Sequence, residues 1–327
     1  MKVIIIGSGF FAQKHAGILC EIEDVEVVAF CSRTASHARA AADGLAARIG
    51  SEVRSYTELT VALDAEQPDA AVVVVTPDAH GEIELELVRR RIPFLVEKPI
   101  GMDRDAPRRI AEAAESAGLI TSVAFHFRYL DTVATMDAMV RATTPVIANG
   151  YWMSTLPPPA WWRHGAESGG QFVEQTVHMT DLLRCLLGEA DSVFTVTSQQ
   201  AIRDLHADAD VPDAGAAVIR MKNGMTATLT NSCVGPASLR VGLEVVTPVA
   251  LLQFAPSQLT IRREHETVEK RPGLDPYRAE DAAFVNAVRT GDASEIRSPY
   301  ADALKTHELT MAIVESARSG SPVQVPG

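Results

Sequence analysis

The chain has 327 residues, 46% of them apolar and 22% charged, with a formal net charge of −12. This balance fits a folded globular protein of about two domains and excludes disorder over most of the length. Such acidity argues against a nucleic-acid binder or a protein held to an anionic membrane, and points to small molecules or further copies of the chain as partners.

The first third alternates strand-like and helix-like segments. Residues 3–6 form an apolar run closed by Gly7, and residues 10–20 follow with helical spacing. A β-branched run at 25–30 precedes an alanine-rich helix at 35–49. Residues 56–64 suggest a short helix and 70–75 a strand bounded by Pro68 and Pro77. Residues 78–90 read as a helix with arginines in its last turn. A short strand at 94–96, a helix at 105–117 stopped by Gly118, and a strand at 120–125 complete the series. Continuous apolar strands alternating with helices predict a parallel sheet covered on both faces, closing as a doubly wound Rossmann domain over residues 1–122.

The rhythm then changes. Residues 129–141 look helical and 146–153 strand-like, while 156–163 hold too many prolines for either. Residues 177–187 form an amphipathic helix ended by Gly188. From 191 to 263 one strand follows another, with Asn223-Gly224 marking a hairpin. Helices at 276–290 and 300–319 close the chain. Residues 123–327 therefore read as an α+β domain on a mostly antiparallel sheet.

No apolar run nears the roughly 18–20 residues that span a bilayer. The run at 3–6 is too short for the apolar core of a signal peptide. Cys20, Cys31, Cys185 and Cys233 are widely spaced without a CxxC, which predicts neither a disulfide framework nor a zinc ribbon and suits a reducing cytoplasm.

Four constellations could carry chemistry. Gly7-Ser8-Gly9-Phe10-Phe11-Ala12 has the form GxGxxA between the first strand and the first helix. The first glycine permits the tight turn, the second admits a pyrophosphate to backbone N–H groups, and the alanine lets helix and strand pack closely. After the second strand, Ser32, Arg33 and Thr34 stand where a carboxylate would hold the ribose of NAD. A cation and hydroxyls suit a 2′-phosphate, so NADP(H) is the expected cofactor and NAD(H) the alternative; Arg33 stacked on adenine or turned to solvent is the other reading.

Glu97-Lys98-Pro99 follows a parallel strand and so falls on the cofactor edge, as do Thr76, Pro77 and His80 after the preceding strand. Lys98 can stabilise negative charge developing on an oxygen; a surface lysine paired with Glu97 is the plainer reading. In residues 169–181, Glu174 and His178 are four apart and His178 and Asp181 three apart, so a continuous helix would place all three on one face. That set suits general acid–base work or a surface ion cluster, and matches the common zinc sets poorly, so no metal is expected. Trp161, Trp162 and Arg163 offer aromatic faces and a cation for a sugar, a carboxylate or a cofactor phosphate, or form a core-packing loop. His126 and Arg128 are weaker candidates.

Together these motifs resemble the Gfo/Idh/MocA family of oxidoreductases. The resemblance runs from GSGFFA through TPDAH, EKP and GGxxxExxxHxxD to Tyr277-Arg278 and the closing Ser316–Val323 segment. It implies an N-terminal Rossmann domain and a C-terminal domain with a large open sheet that serves homodimer or homotetramer contacts. It implies Lys98 and His178 as catalytic residues, with Glu174 in place of the family's usual aspartate, and Arg128 as a substrate contact. Gly7, Ser8, Gly9, Phe10, Phe11, Ser32, Arg33, Thr34, Thr76, Pro77, His80, Glu97, Lys98 and Arg163 become the cofactor-binding set, and Lys98, Arg128, Trp161, Trp162, Glu174 and His178 the substrate-binding set. The implied reaction is hydride transfer between nicotinamide and a secondary alcohol or ketone of a sugar, cyclitol or sugar derivative. Two alternatives are a redox-neutral sugar-modifying enzyme that retains its cofactor, and a nucleotide-binding regulator without turnover.

Overall fold

The computed structural model describes residues 1–326. They form two compact units. Unit 1 comprises residues 1–101, 105–126 and 276–302, and unit 2 residues 102–104, 127–275 and 303 onward.

Unit 1 begins with β1 (Lys2–Ile6), α1 (Phe10–Leu19), β2 (Glu26–Cys31), α2 (Ala35–Ile49), β3 (Arg54–Tyr56) and α3 (Leu59–Glu66). It continues through β4 (Ala70–Val73), α4 (Glu82–Arg89), β5 (Phe94–Val96), α5 (Asp105–Ser116) and β6 (Thr121–Val123). The six strands are parallel in the order β3-β2-β1-β4-β5-β6. Their apolar side chains are buried on both faces, which is why the sequence shows runs rather than alternation. The order reverses between β1 and β4, and ligands of such sheets bind outside the strand ends at that switch point.

The chain departs from the pattern of its sequence at three places. β3 carries no apolar signal, being a three-residue edge strand of polar, largely exposed residues, and the helix expected at 56–64 runs Leu59–Glu66. The helix expected at 78–90 is divided: a 3-10 turn spans Pro77–Ala79, Gly81 sits at φ 130°, and α4 begins at Glu82. The Glu84 carboxylate accepts from the Gly81 N–H at 2.7 Å and so caps the new start. The start of the helix expected at 129–141 is instead a 3-10 turn, His126–Tyr129.

Unit 2 holds α6 (Asp131–Arg141), β7 (Ile147–Met153), the short α7 (Gly165–Ser168) and α8 (Gln171–Glu174), then α9 (Val177–Leu187). β8 (Ala190–Ser198), a short α10 (Ile202–Leu205), β9 (Ala214–Met221), β10 (Thr226–Ser232) and β11 (Arg240–Val246) follow. β12 (Leu251–Ala255), β13 (Gln258–Arg262) and β14 (Thr267–Lys270) complete the run. With the C-terminal β15 (Val323–Gln324) they make a nine-stranded sheet, antiparallel except for the parallel pair β7 and β10. α9 lays Met179, Leu182, Leu183 and Leu186 on one face of it, in a core with Leu229, Leu243 and Phe254. The hairpin at Asn223-Gly224 is present, with Gly224 at φ 89°.

α11 (Pro276–Thr290) returns to unit 1, where Phe284, Val285 and Ala287 join the core of β1, β2 and α1. A single division between residues 122 and 123 does not include this return. α12 (Tyr300–Ser319) closes the helices and buries Leu309, Ala312 and Ile313 in the core of unit 2.

Candidate active-site residues

The turn from β1 into α1 is built for close backbone approach. Gly7 sits at φ 120°, its N–H donates to the Cys31 carbonyl at 2.8 Å, and an added Cβ would overlap the Val74 carbonyl oxygen. Only glycine fits there. At Gly9 an added Cβ would meet nothing within 4 Å, so the N-terminus of α1 opens onto space. No acidic residue occupies the first turn of α1, and its N-cap makes no side-chain bond. The free N–H groups and the helix dipole therefore suit an anionic group. Phe10 is 76% exposed beside this opening, and Phe11 stacks on Tyr277 with centroids 6.2 Å apart.

Ser8 and Ser32 meet through their hydroxyls at 3.0 Å, which joins this turn to the end of β2. Arg33 and Thr34 are exposed just beyond, and Thr34 is the N-cap of α2. Thr76 and Pro77 open the 3-10 turn after β4. The His80 ring is buried there, its Nδ1 2.6 Å from Glu84 Oε1. The glycine turn, the open helix start and the hydroxyls of Ser8, Ser32 and Thr34 fit a dinucleotide.

Glu97 leaves β5 with its N–H bonded to the Val73 carbonyl at 2.8 Å. Its carboxylate turns inward. Oε2 accepts from the Lys98 N–H at 3.1 Å, and Oε1 lies 3.3 Å from His15 Nε2. His15, fully buried on α1, has Nδ1 2.8 Å from Asp281 Oδ1 on α11. Burial disfavours its charge, yet the Asp281 and Glu97 carboxylates outweigh this and hold its pKa well above the ordinary value. His126 behaves oppositely: burial first, then the Lys98, Lys14 and His15 charges, push its pKa well down. Its ring stacks on Tyr277 at 4.0 Å, and the Lys14 ammonium lies 3.0 Å from the centre of the Tyr277 ring.

In unit 2, the single helical face expected for Glu174, His178 and Asp181 does not form. α8 ends at Glu174, the Thr176 N–H reaches back to the Gln171 carbonyl at 2.8 Å, and α9 starts anew at Val177. Glu174 Oε2 accepts from Trp162 Nε1 at 2.8 Å. His178, buried in the first turn of α9, lies between Trp152, stacked at 5.7 Å, and Phe127 at 5.1 Å. Both Asp181 oxygens take the Arg128 guanidinium, at 2.6 and 2.8 Å, and Oδ1 also accepts from Thr306 at 2.8 Å.

Trp162 packs in a core with Ile202, Val211 and Cys233, against which Trp161 lies partly buried. The Trp161-Trp162 segment is thus core packing with one polar handle, on Glu174. Arg163 pairs with Asp208 at 2.8 Å and lowers that carboxyl's pKa. The residues that sequence reading did not single out are His15, Trp152, Tyr277 and Asp281. Only Tyr277 left a trace, as part of the family's closing pattern.

A parallel sheet with this strand order, carrying a glycine turn and an open helix start at its switch point, defines a dinucleotide-binding protein. Residues 1–125 match the oxidoreductase family with an NAD-binding Rossmann fold, and residues 144–247 match the C-terminal domain of the same family. The chain belongs to the Gfo/Idh/MocA family of oxidoreductases. It is 29% identical over 302 residues to an uncharacterized protein of Schizosaccharomyces pombe, covering 80% of this chain and 73% of that one. It is 27% identical over 240 residues to the inositol 2-dehydrogenase of Rhizobium meliloti, covering 70% and 67%. In fold it is similar to levoglucosan dehydrogenase in complex with NADH and levoglucosan, with a TM-score of 0.87, 20% identity, and 100% and 99% of the two chains covered. Among the described residues no helix is long and apolar enough to cross a membrane.

Proposed function

We propose that the chain transfers a hydride between nicotinamide, with NADP(H) preferred, and a secondary alcohol or ketone of a sugar, cyclitol or sugar derivative. One observation carries the reading. Lys98 follows the carboxyl end of β5, on the same sheet edge where the Gly7–Phe11 turn follows β1. Gly7, Ser8, Gly9, Phe10 and Phe11 would hold the nucleotide at the start of α1, with Thr76, Pro77 and His80 from the turn after β4. Ser32, Arg33 and Thr34 would take the 2′-phosphate. When bound, nicotinamide supplies or accepts the hydride.

Lys98 donates a hydrogen bond to the reacting oxygen and stabilises its developing negative charge. His178 removes or supplies the hydroxyl proton. Glu174, held by Trp162, orients the substrate hydroxyl. Arg128, bonded to Asp181 through Nε and Nη2, holds that carboxylate and α9 in place beside the substrate. Arg163, paired with Asp208, keeps spare donors for the cofactor or substrate.

A homodimer or homotetramer is the proposed assembly. Phe194, Val196 and Val218 lie exposed on the sheet face opposite the core of unit 2, with Phe194 paired directly to Val218. Four free cysteines suit a reducing cytoplasm. The test of the reading is turnover of a panel of sugars and cyclitols, including myo-inositol and levoglucosan, by wild type and by Lys98→Ala. Lys98→Ala is expected to lose turnover by about a hundredfold or more while keeping nucleotide affinity. Wild-type turnover in that variant would overturn the role of Lys98.

A further inference from the structure

We propose that His15, bridged to Asp281 and Glu97, is the positioning residue for Lys98. The inference rests on the hydride-transfer reading only in giving Lys98 a catalytic role.

The geometry is that of one cation between two anions. Both ring nitrogens of His15 face a carboxylate oxygen, Nδ1 at 2.8 Å from Asp281 and Nε2 at 3.3 Å from Glu97. A neutral imidazole donates from one nitrogen only and would set a lone pair against the second carboxylate. The imidazolium donates to both. Glu97 in turn uses its other oxygen to accept the N–H of Lys98 itself, at 3.1 Å. The carboxylate therefore pins the backbone from which the Lys98 side chain projects. Glu97 is almost fully buried, and a buried carboxylate without its counter-charge is costly, so the pin holds only while His15 is charged.

Three elements distant in sequence meet at this point. His15 lies on α1, whose N-terminus forms the proposed nucleotide cradle; Glu97 ends β5; and Asp281 lies on α11, the helix that returns to unit 1. One side chain thus connects the helix proposed to hold the cofactor with the turn that holds the lysine. The other polar groups around it are Tyr277 on α11, edge-on at 6.4 Å, Lys14 on α1, and His126 and Lys98, whose charge states interact with it or its neighbours. Burial opposes protonation of His15, and the two carboxylates in direct contact outweigh it.

The test needs no substrate to begin. In wild-type protein carrying 15N-labelled histidine, the His15 ring is expected to be doubly protonated at pH 7.5, about one unit above the ordinary histidine midpoint. A neutral single tautomer there overturns the proposal. Protein with 13Cε-labelled lysine gives six lysine signals, and Lys98→Arg identifies that of Lys98. His15→Gln and Glu97→Gln are both expected to shift or broaden the Lys98 signal and leave that of Lys222 in place. Glu97→Gln is nearly isosteric and covers the case in which His15→Gln does not fold. On the panel substrate that wild type turns over fastest, both variants are expected to lower kcat by about tenfold or more. An unmoved Lys98 signal alongside lost turnover overturns the positioning role and leaves that of Lys98 standing. Wild-type turnover in Lys98→Ala overturns the catalytic role of Lys98 and, with it, the consequence drawn here for His15.

Discussion

Trp162 buries an indole in a small core and aims its one donor at Glu174. Trp162→Phe keeps most of the packing and removes that bond, so a stability loss of about 1–2 kcal/mol is expected from urea unfolding. If Glu174 orients substrate, the same variant raises substrate KM several-fold and leaves nucleotide affinity alone; an unchanged KM would detach Glu174 from substrate. The histidines set a second expectation at this scale. His126 and His307 have pKa values held down, each first by burial. Their unfolded forms take up protons near pH 6.5 and the folded forms do not, so stability falls as pH drops below that value. His15 is held well above it, so its contribution is complete below about pH 6.5 and is lost as pH rises through its folded value. Thermal melting across pH should show both limbs, and His15→Gln should flatten the alkaline one. A melting temperature flat above pH 7 in wild type would contradict the bridged imidazolium.

The elements divide by how local their causes are. The β1–α1 turn was readable because each of its demands is met by a residue type at a fixed offset. Gly7 needs a positive φ and no Cβ, Gly9 needs open approach, and Ala12 needs small bulk against the sheet. Gly7→Ala should cost on the order of 3 kcal/mol in urea unfolding, since the new carbon meets backbone rather than a movable side chain. A cost under about 1 kcal/mol would mean that the turn yields easily. The break between α8 and α9 left no mark in the sequence. Gln175 and Thr176 are ordinary helix residues, and the interruption accompanies a side-chain network: Gln171 donates to the carbonyls of Trp152 and Ser232, and Asn231 donates to the Thr176 hydroxyl. The edge strand β3 was hidden because it buries almost nothing. The His15–Asp281 pair joins positions 266 residues apart, which no spacing rule reaches.

For the whole molecule, two sheets do different work. The parallel sheet buries both faces and presents its strand ends to the proposed cofactor. The nine-stranded sheet covers one face with helices and leaves Phe194, Val196 and Val218 exposed on the other. Light scattering should therefore report a dimer or larger; a strict monomer would contradict the proposed assembly. Unit 1 is proposed to hold a nicotinamide nucleotide at the Gly7–Phe11 turn with its 2′-phosphate at Ser32 and Arg33. The most direct test titrates wild type and Arg33→Ala with NADPH and NADH, followed by nicotinamide fluorescence. Wild type should bind NADPH more tightly than NADH, and Arg33→Ala should weaken NADPH by about ten- to a hundredfold while leaving NADH within about twofold. Equal loss of both nucleotides, or preference for NADH, would contradict the phosphate site; binding of neither to a nucleotide-free protein would contradict the cofactor reading itself.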